Sequence, residues 1–466
     1  MGRVISFVAL AGCLSCVTTR IPAPPAPRLS PVEVAERLAE ADRLAARGCY
    51  LCLKEAAAAF AGLLDDTDDP AVAARALENN LMLAMREAEL RMPDSGARES
   101  ALELQSRVPA SYARYFDALE FAGLPRERRV KLVADIGEDA SASAMKAYFF
   151  LATALQVWPF KELKHQLDGV LAAHPRDLSL RYRMLAFLPA YDAGAARDLI
   201  GQETGFGEVH LLMGQAAVMG GNLASAHREL TRARELLPDS ISITFALAQV
   251  TFSYARYSDA LALFDRVIGS PVAMELEAQA RLGRAKSLSY LKRHDEAIAL
   301  LGDLLQADPR ANPGEKYYWR GWNRLQLGQA QAAYDDATEG LNGMQNDAIY
   351  RLAGMASFGL NRLGESRAFF EEALTMNRAD CDSERYLGLL DSTQRSWAPA
   401  QTRFSSAASC YEVVIARMRT ELADLEKDIT GLSNALIAAK RLELQEADAL
   451  RSQSLLNAAT ATKNAR

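Results

Sequence analysis

The sequence predicts an all-α solenoid, a chain of repeated helical units stacked side by side. Three observations predict it. Small residues recur at Gly214, Ala248, Ala285, Gly321, Gly354 and Gly388, spaced by 34, 37, 36, 33 and 34 residues, a period typical of units that bury their apolar face on a neighbour. Upstream, residues 31–200 carry helical apolar stretches and no alternating pattern of the kind a strand needs. After Cys410, apolar residues fall at 4,3 spacing, the signature of a long helix with one apolar seam.

The N-terminus reads as an address. Met1-Gly2-Arg3 is a short positive region, and Val4 to Ala11 is an apolar run interrupted by Ser6, far short of the roughly 20 residues a spanning helix needs. Leu10-Ala11-Gly12-Cys13 resembles the lipobox of bacterial lipoproteins at all four positions. The resemblance implies a signal peptide over 1–12, cleavage before Cys13, and lipidation of Cys13 with palmitate-like chains. Cys16 fits the motif less well. More than one acyl chain makes a stable anchor where a single chain is marginal. Ile21-Pro22-Ala23-Pro24-Pro25-Ala26-Pro27 follows, so residues 13–30 form a lipidated, Pro-rich tether. Leu14 and Ser15 stand where an acidic residue would retain the protein at the inner membrane, which by resemblance to the sorting rule implies the outer membrane, facing the periplasm.

Residues 31–204 read as degenerate helical repeats, with helical stretches at 32–48, 53–64, 71–92, 112–121, 144–157, 160–173 and 178–188. A separate helical domain is the alternative. Cys49-Tyr50-Leu51-Cys52 opens a helix after Gly48, one turn apart, and can bridge locally in an oxidising compartment. A helix N-terminus lowers a thiol pKa, so a thiol-redox pair is the sharper reading. No thioredoxin-type strand pattern and no haem-attachment His accompany it, which favours a structural pair.

From 205 to 412 the register is explicit. Twelve residues beyond each small position stand Ala226, Ala260, Ala297, Ala333, Ser366 and Ala400; four further stand Leu230, Phe264, Leu301, Ala337, Phe370 and Phe404. Three beyond those are Ala233, Val267, Leu304, Gly340, Ala373 and Ala407, and Pro238, Pro271 and Pro309 close three units. This pattern resembles the tetratricopeptide repeat, which implies a right-handed α-solenoid of antiparallel helix pairs. Small residues sit where the two helices cross most closely, and bulky ones fill the gap to the next unit. Ala337 and Gly340 depart from the pattern, so the fourth unit is expected to pack more loosely.

The repeat geometry places Cys381, first in the sixth unit, beside Cys410, its thirtieth residue, and a bridge between them would staple the last pair. Tyr411, Ile415, Met418, Leu422, Leu425, Ile429, Leu432 and Leu436 continue as a heptad seam interrupted by Gly431. Residues 413–466 therefore cap the solenoid or form a coiled coil that makes a homo-oligomer.

Composition and motifs exclude much chemistry. Among 466 residues, Lys and Arg number 53 against 59 Asp and Glu, a net charge of −6 without runs of one sign, so nucleic-acid phosphates are not the partner. No Walker loop, HExxH, GxSxG or complete dinucleotide fingerprint occurs, and His165, His174, His210, His227 and His294 lack metal-ligand spacing. No enzyme activity, metal or cofactor is expected. The resemblance instead implies a concave groove for a protein or peptide segment, lined by Phe245, Gln249, Phe252, Leu282, Lys286, Tyr290, Tyr318, Trp322, Leu325, Gln326, Arg351, Met355, Phe358, Arg385 and Leu389. Aromatic rings with interspersed polar groups suit such anchoring. The Lys/Asn arrangement of chaperone-binding members is missing. A membrane-anchored scaffold in an envelope assembly is the first functional reading.

Overall fold

A computed structural model describes residues 29–187, 192–428 and 430–465. The lipobox, Cys13 and the spacer 21–27 lie outside the described residues. Among the described residues the secondary structure is helical throughout, without a strand. No described helix is long and apolar enough to cross a membrane.

The first half begins with α1 (Pro31–Arg47), α2 (Tyr50–Asp66), α3 (Pro70–Leu90) and the short α4 (Ala97–Leu104) and α5 (Ala113–Leu119). It continues through α6 (Arg126–Gly137), α7 (Ala144–Ala154), α8 (Phe160–Ala173), α9 (Leu178–Phe187) and α10 (Ala193–Gln202). Local chemistry sets these boundaries. Ser30 and Glu33 form a reciprocal capping box with Pro31 at the first helical position. The stop is Gly48, at φ 73°; a Cβ there would also fall 2.4 Å from the Ser179 nitrogen, so both conformation and space demand glycine. Cys49 then caps α2 by accepting from the Cys52 N–H. One continuous buried cluster runs from Ala41 through Phe60, Leu77, Tyr115, Phe149 and Phe206 to Tyr254. The irregular half and the first repeat units therefore share a core.

The repeats follow as antiparallel pairs: α11 (Gly207–Met219) with α12 (Leu223–Leu236), α13 (Ile241–Ser253) with α14 (Tyr257–Ile268), and α15 (Met274–Tyr290) with α16 (His294–Ala307). Next come α17 (Pro313–Gln326) with α18 (Ala330–Gly340), α19 (Asp347–Gly359) with α20 (Leu363–Met376), and α21 (Cys381–Thr393) with α22 (Trp397–Leu425). The small positions do what the spacing predicts. A Cβ on Gly214, Gly354 or Gly388 would meet Leu230, Phe370 or Phe404 at 2.6, 2.8 or 2.9 Å, the bulky residue of the same unit each time. Ser366, standing where the other units have Ala, satisfies its buried hydroxyl by donating to the Gly354 carbonyl at 2.9 Å.

The fourth unit is not loose. Its small Ala337 and Gly340 are compensated from the next unit, where Leu352 reaches within 3.1 Å of the position of a Gly321 Cβ and Ile349 within 2.4 Å of one on Gly340. Volume lost on one side of the crossing is restored from the other.

The long C-terminal helix is α23 (Asn434–Asn464), and α22 and α23 form an antiparallel hairpin. The heptad seam over 411–436 breaks at the interruption the sequence shows around Gly431. Asp428 accepts from the N–H groups of Thr430 and Ser433, and Gly431 turns at φ 75°, which ends one helix and starts the next. Tyr411, Ile415 and Met418 pack against Leu444, Ala447 and Leu450, while Trp397, Ala400 and Phe404 pack against Ala458 and Ala461. The last pair is covered by the chain's own helix. Leu432 and Leu436, at the hairpin tip, pack instead against the large cluster that ends at Tyr254.

Candidate functional site

Successive first helices touch one another, α11 with α13, α13 with α15, α15 with α17, and so on to α21, while successive second helices touch less. The first helices therefore line the inner face of the curve. Four rings of these first helices, with Tyr257 at the start of α14, form a continuous ladder across three units. Phe252 meets Tyr257 at 5.3 Å and Tyr290 at 5.7 Å between centroids, and Tyr290 meets Trp319 at 5.8 Å. Tyr318 closes the series at 5.6 Å from Trp319. Tyr257 and Tyr290 stack at 4.4 Å, tilted by 6°. Tyr290 is 49% exposed, so its ring offers an apolar surface to whatever enters.

Charge at the ladder is balanced locally. Lys286 pairs with Glu315 and lies 6.0 Å from the centre of the Trp319 ring. Burial, then the neighbouring Tyr290 phenol and the carboxylate of Glu443 on α23, push the Tyr257 phenol up to about 12. The Tyr290 phenol is raised by the same burial and by Glu443. Both hydroxyls therefore stay protonated donors at neutral pH. Beyond the ladder, Glu315, Tyr318, Trp319, Asn346 and Ala348 line a cleft of about 410 Å³.

The C-terminal hairpin borders this site. Gly431, Leu432, Asn434 and Ala435 face Ala255, Tyr257, Ser258 and Leu291 across a gap of about 400 Å³. Every described ion pair made by residues 412–465 closes within the hairpin itself, such as Lys440 with Glu421 and Arg441 with Glu426. The tip rests on the repeats through apolar contact.

The other groove positions divide. Gln249 and Gln326 are exposed. Phe245 is 8% exposed and packs edge-on against Phe264. Trp322 and Leu325 fill the space around Ala337 and Leu352, and Met355 and Phe358 pack with Phe370 and Tyr386, so these side chains join neighbouring units together. Leu282 and Leu389 likewise pack into small clusters between helices. Arg351 is bound to Asp380 at 2.9 Å. Arg385 lies over the Tyr386 ring at 4.5 Å and near Asp382. Tyr257 and Trp319 are ladder members the family's groove positions do not name; the run Tyr317-Tyr318-Trp319 and the aromatic at the turn after Phe252 are the signals for them.

The four described cysteines are paired as Cys49–Cys52 and Cys381–Cys410. Cys49 is 1% and Cys52 2% exposed, and Glu203 lies against them, held by Arg47 at 2.6 Å. A buried bridge offers no sulfur to an incoming thiolate.

The sequence matches no family profile and no curated protein. It is similar to solved structures that include PilF of Pseudomonas aeruginosa, 16% identical over 46% of this chain and 94% of that one, with a TM-score of 0.39. A tetratricopeptide repeat protein from Parabacteroides merdae is 16% identical over 54% of this chain and 98% of that one, with a TM-score of 0.38. A thermophilic tetratricopeptide protein of Thermus thermophilus is 18% identical over 38% of this chain and 94% of that one, with a TM-score of 0.32. At this level of likeness the fold rests on the chain's own helices: it is an all-α solenoid of antiparallel pairs with a long C-terminal helix.

Proposed function

We infer that this chain is a membrane-anchored scaffold whose inner face holds a protein or peptide segment within a cell-envelope assembly. The observation that carries the binding role is the ring ladder from Phe252 to Tyr318, with Tyr290 half exposed and Tyr318 and Trp319 lining a cleft of about 410 Å³. Stacked, mutually braced rings lose little freedom when a ligand settles on them, which is what makes an aromatic anchor effective. The anchor is supported by Leu10-Ala11-Gly12-Cys13, which implies a lipid at Cys13 and a periplasm-facing outer-membrane location. Assemblies for outer-membrane biogenesis, secretion, pilus formation or motility are the settings that analogy with anchored repeat proteins suggests.

Two other readings lose support from specific contacts. Burial of both Cys49 and Cys52 disfavours thiol exchange as the working chemistry. The front half of the heptad seam is spent on α23 within the same chain, which favours capping over a coiled coil with a second copy. The test is an in-cell crosslink from a photoreactive residue replacing Tyr290, followed by mass spectrometry. Reproducible capture of one envelope protein supports the scaffold reading. Capture confined to α23 of the same chain, with and without the anchor, sinks it.

A further inference from the structure

Away from the inner face, the irregular half carries a set of cations that no carboxylate answers among the described residues. α6 opens with Arg126-Glu127-Arg128-Arg129-Val130-Lys131, four cations against one carboxylate within two turns. Arg126, Arg128 and Lys131 are exposed, and the half-buried Arg129 lies 5.9 Å from the centre of the Phe121 ring. None of the four makes an ion pair with a described residue. The repeats differ: Arg256 and Arg293, at the starts of α14 and α16, are answered one turn on by Asp259 and Glu296.

A helix start already bears positive charge from its open N–H groups, so cations gathered there are disfavoured until an anion joins them. Pro125 gives α6 no side-chain cap that would accept from those groups. α8 repeats the arrangement. It starts after Pro159, again without a side-chain cap, and Lys161 and Lys164, spaced for one face, are exposed and unpaired. The half-buried Trp158 stands three residues before Lys161. His174, at the end of α8, has its Nε2 3.0 Å from the Ser141 carbonyl in the turn that follows α6. Both helices run toward that turn, so their cationic first turns lie on the side away from it.

We propose that this end of the irregular half docks on a bilayer surface of acidic phospholipid, with Arg126, Arg128, Lys131, Lys161 and Lys164 at the phosphates and Trp158 at headgroup level. The net charge of −6 does not oppose this. At physiological salt charges are screened within about 8 Å, so a bilayer senses the face presented to it and not the sum over the chain. Long side chains spread over two helix starts suit headgroups that move laterally to meet them, whereas an acidic protein would need carboxylates in matching register. The inference is independent of the groove reading. The lipid implied at Cys13 would keep this face near a bilayer, and the test leaves it out so that each reading can fail alone.

The test is co-sedimentation of residues 13–466, carrying Cys13→Ser and so no acyl chain, with phosphatidylcholine vesicles containing about 30% phosphatidylglycerol. Saturable binding is expected, weakening at least about tenfold between about 50 and about 300 mM salt, with none to pure phosphatidylcholine. Each cation removed from the face should weaken binding about fivefold, so Arg126→Ala with Arg128→Ala should lose about 25-fold. Arg378→Ala with Arg419→Ala removes the same charge from exposed, unpaired positions outside the irregular half and should leave binding unchanged. All four positions are exposed, so the melting temperature should stay in place in both variants. Equal binding to neutral vesicles, insensitivity to salt, or an equal loss from the second pair overturns the proposal. Absence of binding to the acidic vesicles does so too, and leaves an acidic protein as the partner of these cations.

Discussion

Arg86 on α3 and Glu208 on α11, 122 residues apart in sequence, form an ion pair at 2.6 Å in which neither side chain reaches solvent. Tyr182 and Tyr148 lie against the guanidinium at 4.1 and 5.2 Å, and the Tyr50 N–H donates to the same Glu208 oxygen at 2.9 Å. Burial opposes charge on Arg86, but Tyr148, Glu208, Tyr182 and Glu89 outweigh it and raise its pKa further. The pair joins the irregular half to the first repeat unit. Removing one partner strands a buried charge, so Arg86→Met is expected to cost about 3–5 kcal/mol. Urea unfolding of the variant checks this, and a loss below about 1 kcal/mol would show that water reaches Glu208.

The Tyr257–Tyr290 stack separates binding from folding. Because Tyr290 is half exposed, Tyr290→Ala should lower stability by about 1 kcal/mol, the scale of an aromatic pair. Capture of the envelope partner from a photoreactive residue at Gln249 should fall severalfold in the same variant. Loss of stability without loss of capture would assign the ring to packing.

The Cys381–Cys410 bridge closes a stretch of 29 residues across the last antiparallel pair. Cys410→Ser is expected to cost about 3–4 kcal/mol in the chain-entropy account. Reductant should reproduce the loss in the parent chain and leave the variant unchanged. Equal response of both would place the effect at Cys49–Cys52.

Acid should weaken the contact between α1 and the loop after α10 through Glu203. Its hydrogen bond from Arg47, aided by the Gly205 N–H, holds the carboxyl below the ordinary 4.5. A depressed carboxylate contributes its stability in full above that ordinary value and loses it as pH falls through the depressed one. Glu203→Gln should therefore lower stability by about 1 kcal/mol at neutral pH, discounted for the half-exposed Arg47, and flatten the decline below pH 4.5. Melting temperature against pH for both proteins measures it.

The hairpin tip is a local contact with a local readout. Leu432→Asp should loosen the turn 254–259 and lower hydrogen-exchange protection there, while α22 and α23 stay protected through their own interface. A matching loss of protection along α23 would mean that the hairpin depends on its tip to form.

Much of the repeat half is legible in the sequence because its constraint is steric and local. Gly354 with Phe370 and Gly388 with Phe404 are sixteen residues apart in the chain, and their spacing carries the crossing with it. Other features depend on partners that spacing does not reveal. Each turn between paired helices has a left-handed residue at Gly221, Ala255, Lys292, Gly328, Asn361 and Arg395, with φ from 55° to 74°. Two of the six are glycine, so composition hides a position that the turn geometry imposes. In the first half, α4, α6 and α10 leave little trace in the sequence because their apolar faces are short, with two or three buried residues each. The site shows the same division: Tyr290 follows from register, whereas Trp319 becomes a ladder member because α17 turns it toward the preceding unit.

A linear array of repeats frays from its ends, each unit held by one neighbour. Here the tip carrying Leu432 reaches from beyond the sixth unit to the turn after α13 in the second. The terminal unit thus has a second point of attachment about four units away, and the array is circular in its connectivity. Pulling on the C-terminus must break that remote contact before the repeats between can peel in sequence. Its rupture should appear in a force trace as a single event ahead of the stepwise release of the units.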